Sequence, residues 1–265
     1  LVPYKEGEVQ PVNIVRYRAN GEVHVGVIED GQVRQAQGSM FDRLQIGPVV
    51  GPVEEVELLA PVEPGKLIAI GLNYQDHIDE DAFDFAQPEN PIIFLKPPSS
   101  IVGHNANIVL PPGAEKVDAE AELCVVIGKK CRHVKAEDAY DVILGFTNGN
   151  DVSARDYQFK DGQWVRAKGF DTFAPLGPAI VTGIRADDLT IVSRVNGETR
   201  QSSSTRHLIF DVPYLIEFIS NVMTLEPGDV IMTGTPAGPP QLNDGDICEI
   251  EIAGLGTLRN PVVAG

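Results

Sequence analysis

Asp118-Ala119-Glu120-Ala121-Glu122-Leu123-Cys124-Val125-Val126-Ile127-Gly128 opens on alternating acids and ends in an apolar run. From Glu122 onward the run is rich in β-branched residues and is closed by Gly128 and two lysines, which predicts a buried strand with Glu120 and Glu122 at its entrance. Side chains two apart on a strand share a face, about 6.5–7 Å apart along the chain. Two carboxylates that close beside an apolar run repel each other and resist ionisation unless a cation sits between them. Asp151 supplies a third carboxylate, after the apolar residues 140–146 and Thr147-Asn148-Gly149-Asn150, which reads as a turn. Three oxygen donors without a nearby His or Cys suit a hard ion, Mg2+, Mn2+ or Ca2+, with positions left for water or substrate. Taken alone, Glu-x-Glu also describes a solvated edge strand, so the surroundings carry the weight.

Upstream, residues 66–71 read as a buried strand leading to Asn73, a candidate N-cap for a short helix starting at Tyr74. His77 and Glu80 share a face of that helix, where the carboxylate raises the basicity of the imidazole and orients it as a general base requires. An exposed helical ion pair fits the same spacing. Residues 79–90 are acidic, carry Phe83 and Phe85 between polar neighbours, and read as a lid that orders on ligand binding or as a plain connection. Lys96 follows a strand and is available to a substrate anion, although a loop lysine is usually solvated.

Downstream, residues 136–143 read as helical, and Arg155 and Gln158 aim one way on a turn of helix after Asp151. Without further context Arg155 reads as a surface partner of Asp156 or Asp171. Lys168 and Thr172 flank Gly169, and Met232-Thr233-Gly234-Thr235-Pro236 reads on its own as a plain strand-end turn of small residues. Residues 212–220 have helical apolar spacing, and Asn196-Gly197 marks a hairpin.

The N-terminal region is different. Residues 1–11 are polar and read as a flexible tail. Residues 12–60 form short alternating segments broken by Asn20-Gly21 and Asp30-Gly31, which predicts a small antiparallel β module with no chemistry of its own. Residues 53–64, with Pro61 and Pro64, read as an extended linker into a main domain over 61–265.

The formal charge of −17, from 21 basic and 38 acidic residues, leaves no basic stripe and argues against nucleic acid or an anionic membrane as partner. No apolar run reaches the ~20 residues of a membrane span. Cys124, Cys131 and Cys248 lack metal spacing and read as reduced thiols of a cytoplasmic protein.

Five motifs together carry a resemblance. Gly71-Leu72-Asn73-Tyr74 with His77, the Asp118–Leu123 acids, Asn150-Asp151-Val152-Ser153-Ala154-Arg155-Asp156-Tyr157-Gln158, the run from Lys168 through Asp171 to Gly177-Pro178, and Gly234-Thr235-Pro236 occur in an order and spacing similar to the fumarylacetoacetate hydrolase family. The resemblance spans roughly residues 62–262. It implies a mostly β (α+β) fold, a mixed β-roll catalytic domain behind the N-terminal module, and a homodimer.

It also implies Mg2+, or Mn2+ or Ca2+, on Glu120, Glu122 and Asp151, and His77 with Glu80 activating water from a mobile lid. Lys168 and Thr172 then reach the metal surroundings and the substrate oxygen, Arg155 and Gln158 polarise the substrate carbonyl, and Gly234 and Thr235 hold its carboxylate. The implied reaction is hydrolysis of a carbon–carbon bond in an acylpyruvate or related 2-oxo acid. Isomerisation of a hydroxydienedioate, decarboxylation of an oxo acid, and a non-catalytic metal-binding β-roll are the alternatives. Two positions depart from the pattern: Ala119 stands where an aromatic residue is common, and Leu72 stands where some acylpyruvate-cleaving relatives have arginine, which favours the isomerase alternative.

Overall fold

The predicted strand runs over Ala121–Ile127, buried along its whole length, and pairs antiparallel with Ile143–Asn150 on one side and Val230–Met232 on the other. The fold is that of a computed structural model that describes residues 11–78 and 87–265. Glu80, Phe83 and Phe85, and with them the expected His77–Glu80 pair and lid, lie outside the described residues.

From the central strand the sheet extends in two directions. Beyond Val230–Met232 comes Leu67–Gly71, joined in parallel, and then the edge strand Ile92–Lys96. Beyond Ile143–Asn150 come Ala174–Val181 and the N-terminal strands Asn13–Ala19, Glu22–Glu29, Gln32–Gly38 and Leu44–Pro52. The N-terminal strands therefore continue the main sheet, through Asn13 opposite Val181 and Ile14 opposite Ile180. Asn20, Gly21, Asp30 and Gly31 all have positive φ, as the predicted two-residue hairpin turns require.

A second sheet orders Glu198–Ser204, Thr190–Val195, Ile247–Ile252, Gly256–Ala264 and Ile108–Leu110. Period-two alternation puts Ala121, Leu123, Val125 and Ile127 on one face of the central strand. They pack with Leu215, Ile216 and Ile219 of the helix Val212–Val222 and with Ile191, Ile250 and Ile252 of the second sheet. Asp211 caps that helix, its side chain accepting from the Tyr214 amide at 2.9 Å. Cys124 and Val126 face the other way, against Leu67, Leu176, Ile180 and Met232. Glu122 lies on this second face, at the open end of the strand.

Four local expectations are corrected. Thr147-Asn148-Gly149-Asn150 is strand, not turn. Inside the sheet the Asn148 amide donates to Gly177 O at 2.9 Å, and a Cβ at Gly149 would lie 2.2 Å from Cys124 Sγ. Residues 53–64 are not a free linker, because Glu57–Leu58 pairs back onto Asn13–Ala19 and buries Leu58. Residues 136–143 are only partly helical, as a 3-10 helix over Ala136–Asp141. Asn73 caps no helix: its amide donates to Phe210 O and Thr233 O at 2.9 and 2.8 Å, its carbonyl accepts from the Phe210 amide at 2.7 Å, and the helix starts at Gln75.

Among the described residues, no helix is long and apolar enough to cross a membrane. Cys124, Cys131 and Cys248 are free thiols.

Candidate active site

Strand register assembles the carboxylates. Ala121 sits opposite Asn150, so Glu120 and Asp151 leave adjacent antiparallel strands at the same end. The Asp151 amide donates to Glu120 O at 3.0 Å, and the Glu120 amide donates to the Asn150 side-chain oxygen at 2.9 Å. Carboxylate oxygens of Glu120, Glu122 and Asp151 all lie within 4.8 Å of one another, and all three residues are buried.

The cations around them were only half anticipated. Lys168 Nζ bridges Glu120 Oε2 at 2.8 Å and Asp151 Oδ2 at 2.6 Å. Lys96, expected as a solvated loop lysine, is instead fully buried at the end of Ile92–Lys96, with Nζ 2.5 Å from Asp151 Oδ1 and 3.2 Å from Val152 O. Arg155, which without family context read as a surface residue, is buried at the start of the helix Arg155–Lys160. It donates through Nε to Asp118 Oδ2 at 2.8 Å and through Nη1 to Gln158 Oε1 at 2.8 Å, and its Nη2 lies 2.6 Å from Glu120 Oε1. Because Arg155 occupies the Gln158 carbonyl, the amide nitrogen of Gln158 is left as a donor.

These pairs sort the carboxyls. Burial alone would push Glu120 up, yet Lys168, Arg155 and His77 outweigh it and hold Glu120 well below the ordinary carboxylate range. Glu122 goes the other way: burial, then Asp151 and Glu120, push it well above that range, against the Gly234 amide, which donates to its Oε2 at 2.7 Å. Burial lowers the Lys96 ammonium against the pull of Asp151, whereas Asp151 and Glu120 overcome burial at Lys168 and raise it. Two of the cations that the close spacing of the acids called for are thus side chains, Lys96 and Lys168, which already neutralise much of the charge. Among the described residues Glu122 is the carboxyl of the three with no ion pair.

A divalent ion fits that deficit. Counting Asp118, four carboxylates face Lys96, Lys168, Arg155 and Lys116, the last 3.8 Å from Asp118 Oδ2, and none of these cations forms an ion pair with Glu122. Beside it the Tyr74 hydroxyl is buried with no hydrogen-bond partner among the described residues, its pKa pushed up by burial and then by Glu122. Glu120, Glu122 and Asp151 form an all-oxygen donor set of the kind hard ions take. Gly234 has φ near +103, and a Cβ there would lie 2.8 Å from Asn73 Cβ, so only glycine brings its amide to Glu122.

The carboxylates share one cleft with His77, Arg155, Gln158, Lys168 and Thr235, and its other wall is apolar: Ile70, Leu72, Phe94 and Trp164. Leu72 carries φ of 56, backbone that a leucine adopts only under constraint. Thr172 is not part of the cleft, because its hydroxyl accepts from the Val109 amide at 2.8 Å. Two residues went unrecognised from sequence. Trp164 is one. The other is Gln201, whose amide donates to Thr235 Oγ1 at 2.8 Å and Pro236 O at 2.7 Å while its carbonyl accepts from the Ala121 amide at 3.1 Å. A larger depression of about 590 Å³ beside Tyr140 and Tyr214 shares no residue with the cleft.

Known proteins match this architecture. A family model described as fumarylacetoacetate (FAA) hydrolase C-terminal matches residues 66–263, and one described as Rv2993c-like, N-terminal matches residues 13–61. The chain is 48% identical to mitochondrial oxaloacetate tautomerase Fahd2a of Rattus norvegicus over 265 residues, covering 96% of this chain and 80% of that protein. The crystal structure of 5-carboxymethyl-2-hydroxymuconate delta-isomerase from Mycobacterium smegmatis superposes with a TM-score of 0.88 at 46% identity, over 96% of this chain and 100% of the other. A fumarylacetoacetate hydrolase from Exiguobacterium antarcticum superposes with a TM-score of 0.85 at 36% identity, over 96% and 100%.

Proposed function

This chain belongs to the fumarylacetoacetate hydrolase family, and we propose that it is a divalent-metal-dependent enzyme hydrolysing the carbon–carbon bond of an acylpyruvate. The observation that carries the reading is the convergence in one cleft of three carboxylates with His77, Lys168 and the Gln158 amide. An ion held by Glu120, Glu122 and Asp151 would supply Lewis-acid polarisation to the 2-oxo carboxylate end of the substrate.

His77 takes a proton from water, and the oxygen attacks the distal carbonyl carbon. The bond from that carbon to C3 breaks, its electron pair stays on C3 as the enolate of pyruvate, and the proton on His77 returns to C3. The products are one pyruvate and one carboxylic acid, which keeps the second proton of the water until it is lost to solvent. Glu80 orients His77 on the strength of sequence spacing. Lys168 and the Gln158 amide stabilise the developing negative charge, and Arg155 acts through Gln158 and Glu120 by holding them in place. Gly234 holds Glu122, and Thr235 binds the substrate carboxylate.

The second reading is tautomerisation or isomerisation of a 2-oxo acid, which uses the same enolate without attack by water. It is supported by the relatives of that activity and by Leu72, which lines the cleft where arginine stands in some acylpyruvate-cleaving members. Incubation with Mg2+ and acetylpyruvate, with pyruvate measured through lactate dehydrogenase, separates the two. Pyruvate release that disappears in H77A supports hydrolysis. No pyruvate, together with faster loss of the enol absorbance of oxaloacetate, supports the second reading instead.

A further inference from the structure

The cleft has two unlike halves, and the apolar half bears on substrate length. Outward from the carboxylates, Lys168 Nζ lies 5.3 Å from the centre of the Phe94 ring, which meets the Trp164 ring edge-on at 5.2 Å and 79°. Trp164 rests on Gly71: a Cβ there would lie 2.5 Å from indole Cζ3 and 2.8 Å from Cη2, so the ring closes against the strand only because the side chain is missing. The Trp164 carbonyl accepts from the Lys168 amide at 2.9 Å, which ties the indole and the catalytic-side lysine to a single helical turn. The space left between the two halves is about 20 Å³, room for about one water.

We infer that Trp164, seated on Gly71 and backed by Phe94, sets the permitted length of the substrate tail and restricts the site to short-chain 2-oxo acids. The inference rests on the proposed reading in that it places the charged end of the substrate among Glu120, Glu122, Asp151 and Lys168. With that end fixed, the tail runs toward Ile70, Leu72, Phe94 and Trp164. An open apolar pocket gains about fourfold in affinity for each added methylene. A closed wall reverses the sign, because every added methylene has to displace the indole from Phe94 and Gly71.

The test is calorimetric titration of the Mg2+-loaded full chain with pyruvate, 2-oxobutanoate, 2-oxohexanoate and 2-oxooctanoate, for wild type, W164A and W164F. Wild-type affinity is expected to fall at least tenfold from 2-oxobutanoate to 2-oxooctanoate. In W164A the order reverses, with gains approaching about fourfold per methylene, and W164F lies between. Trp164 is the chain's one tryptophan, so its emission in wild type should also shift more with 2-oxohexanoate than with pyruvate. The same rank order in all three proteins overturns the inference, and if W164A does not fold, an unchanged order in W164F does so.

Pyruvate release from acetylpyruvate is read separately. A Trp164-dependent length order without turnover rejects the hydrolase reading and retains the wall, whereas turnover with no length order rejects the wall alone. Failure of every oxo acid to bind wild type overturns both.

Discussion

Glu122→Gln isolates the role of the one carboxyl in the triad that makes no ion pair among the described residues. In the ion-free protein, burial and its two acidic neighbours raise the Glu122 pKa well above the ordinary value, so the neutral carboxylic acid is favoured. Gln is its near-isostere and can still accept from the Gly234 amide, now at 2.7 Å from Oε2. A carboxyl whose folded pKa exceeds its unfolded one contributes stability fully below the unfolded value, about 4.3. That contribution is lost as pH rises toward the folded pKa. Gln does not titrate and escapes the loss, so ion-free E122Q should equal wild type near pH 4 and exceed it increasingly at higher pH.

With ion present the order inverts. At a free ion concentration a hundred times Kd, binding stabilises the folded wild type by about 2.7 kcal/mol. In a chain of this size that is a rise in Tm of about 5–10 °C. E122Q lacks an anionic ligand and should show almost none of this shift. Below the folded pKa, ion binding to wild type expels the Glu122 proton, so affinity should climb about tenfold per pH unit. Melting curves from pH 5 to 8, with EDTA and with Mg2+ or Mn2+, measure all three effects. The reasoning is refuted if E122Q gains the wild-type shift from either ion, or melts well below wild type in EDTA at pH 8.

Lys96→Met removes one of the two cations on Asp151. Breaking a buried pair on one side costs about 3–5 kcal/mol, so the urea midpoint should drop by that equivalent, and a loss under about 1 kcal/mol would show the pair to be dispensable. His77→Ala should lower turnover about 10²–10⁴-fold while Mn2+ affinity by calorimetry changes little. Retained turnover would remove His77 from the chemistry. Gln201→Ala strands the buried Ala121 amide and frees Thr235, which predicts about 1–3 kcal/mol of destabilisation and a raised KM for the oxo acid. An unchanged KM would make Gln201 purely structural.

The central strand, the hairpin turns and the three acids could be read from residue order because their causes are local. Alternation along 121–127 fixes which side chains face which core, and Asn20-Gly21 and Asp30-Gly31 carry their own turn geometry. Glu120, Glu122 and Asp151 converge because each sits at or beside the end of one of two adjacent antiparallel strands. The companions of those acids depend on distant pairings. Lys96 reaches Asp151 across 55 residues, Asn73 clamps Phe210 across 137, and Gln201 ties Ala121 to Thr235 across 80 and 34. No local spacing announces such contacts, because the sheet places Ile92–Lys96, Leu67–Gly71 and Val230–Met232 side by side out of chain order. Whether a lysine after a strand is solvated or buried against a carboxylate depends on what the remote chain lays over it. Here the overlay buries Lys96 completely and, among the described residues, leaves Glu122 as the one acid of the triad without an ion pair.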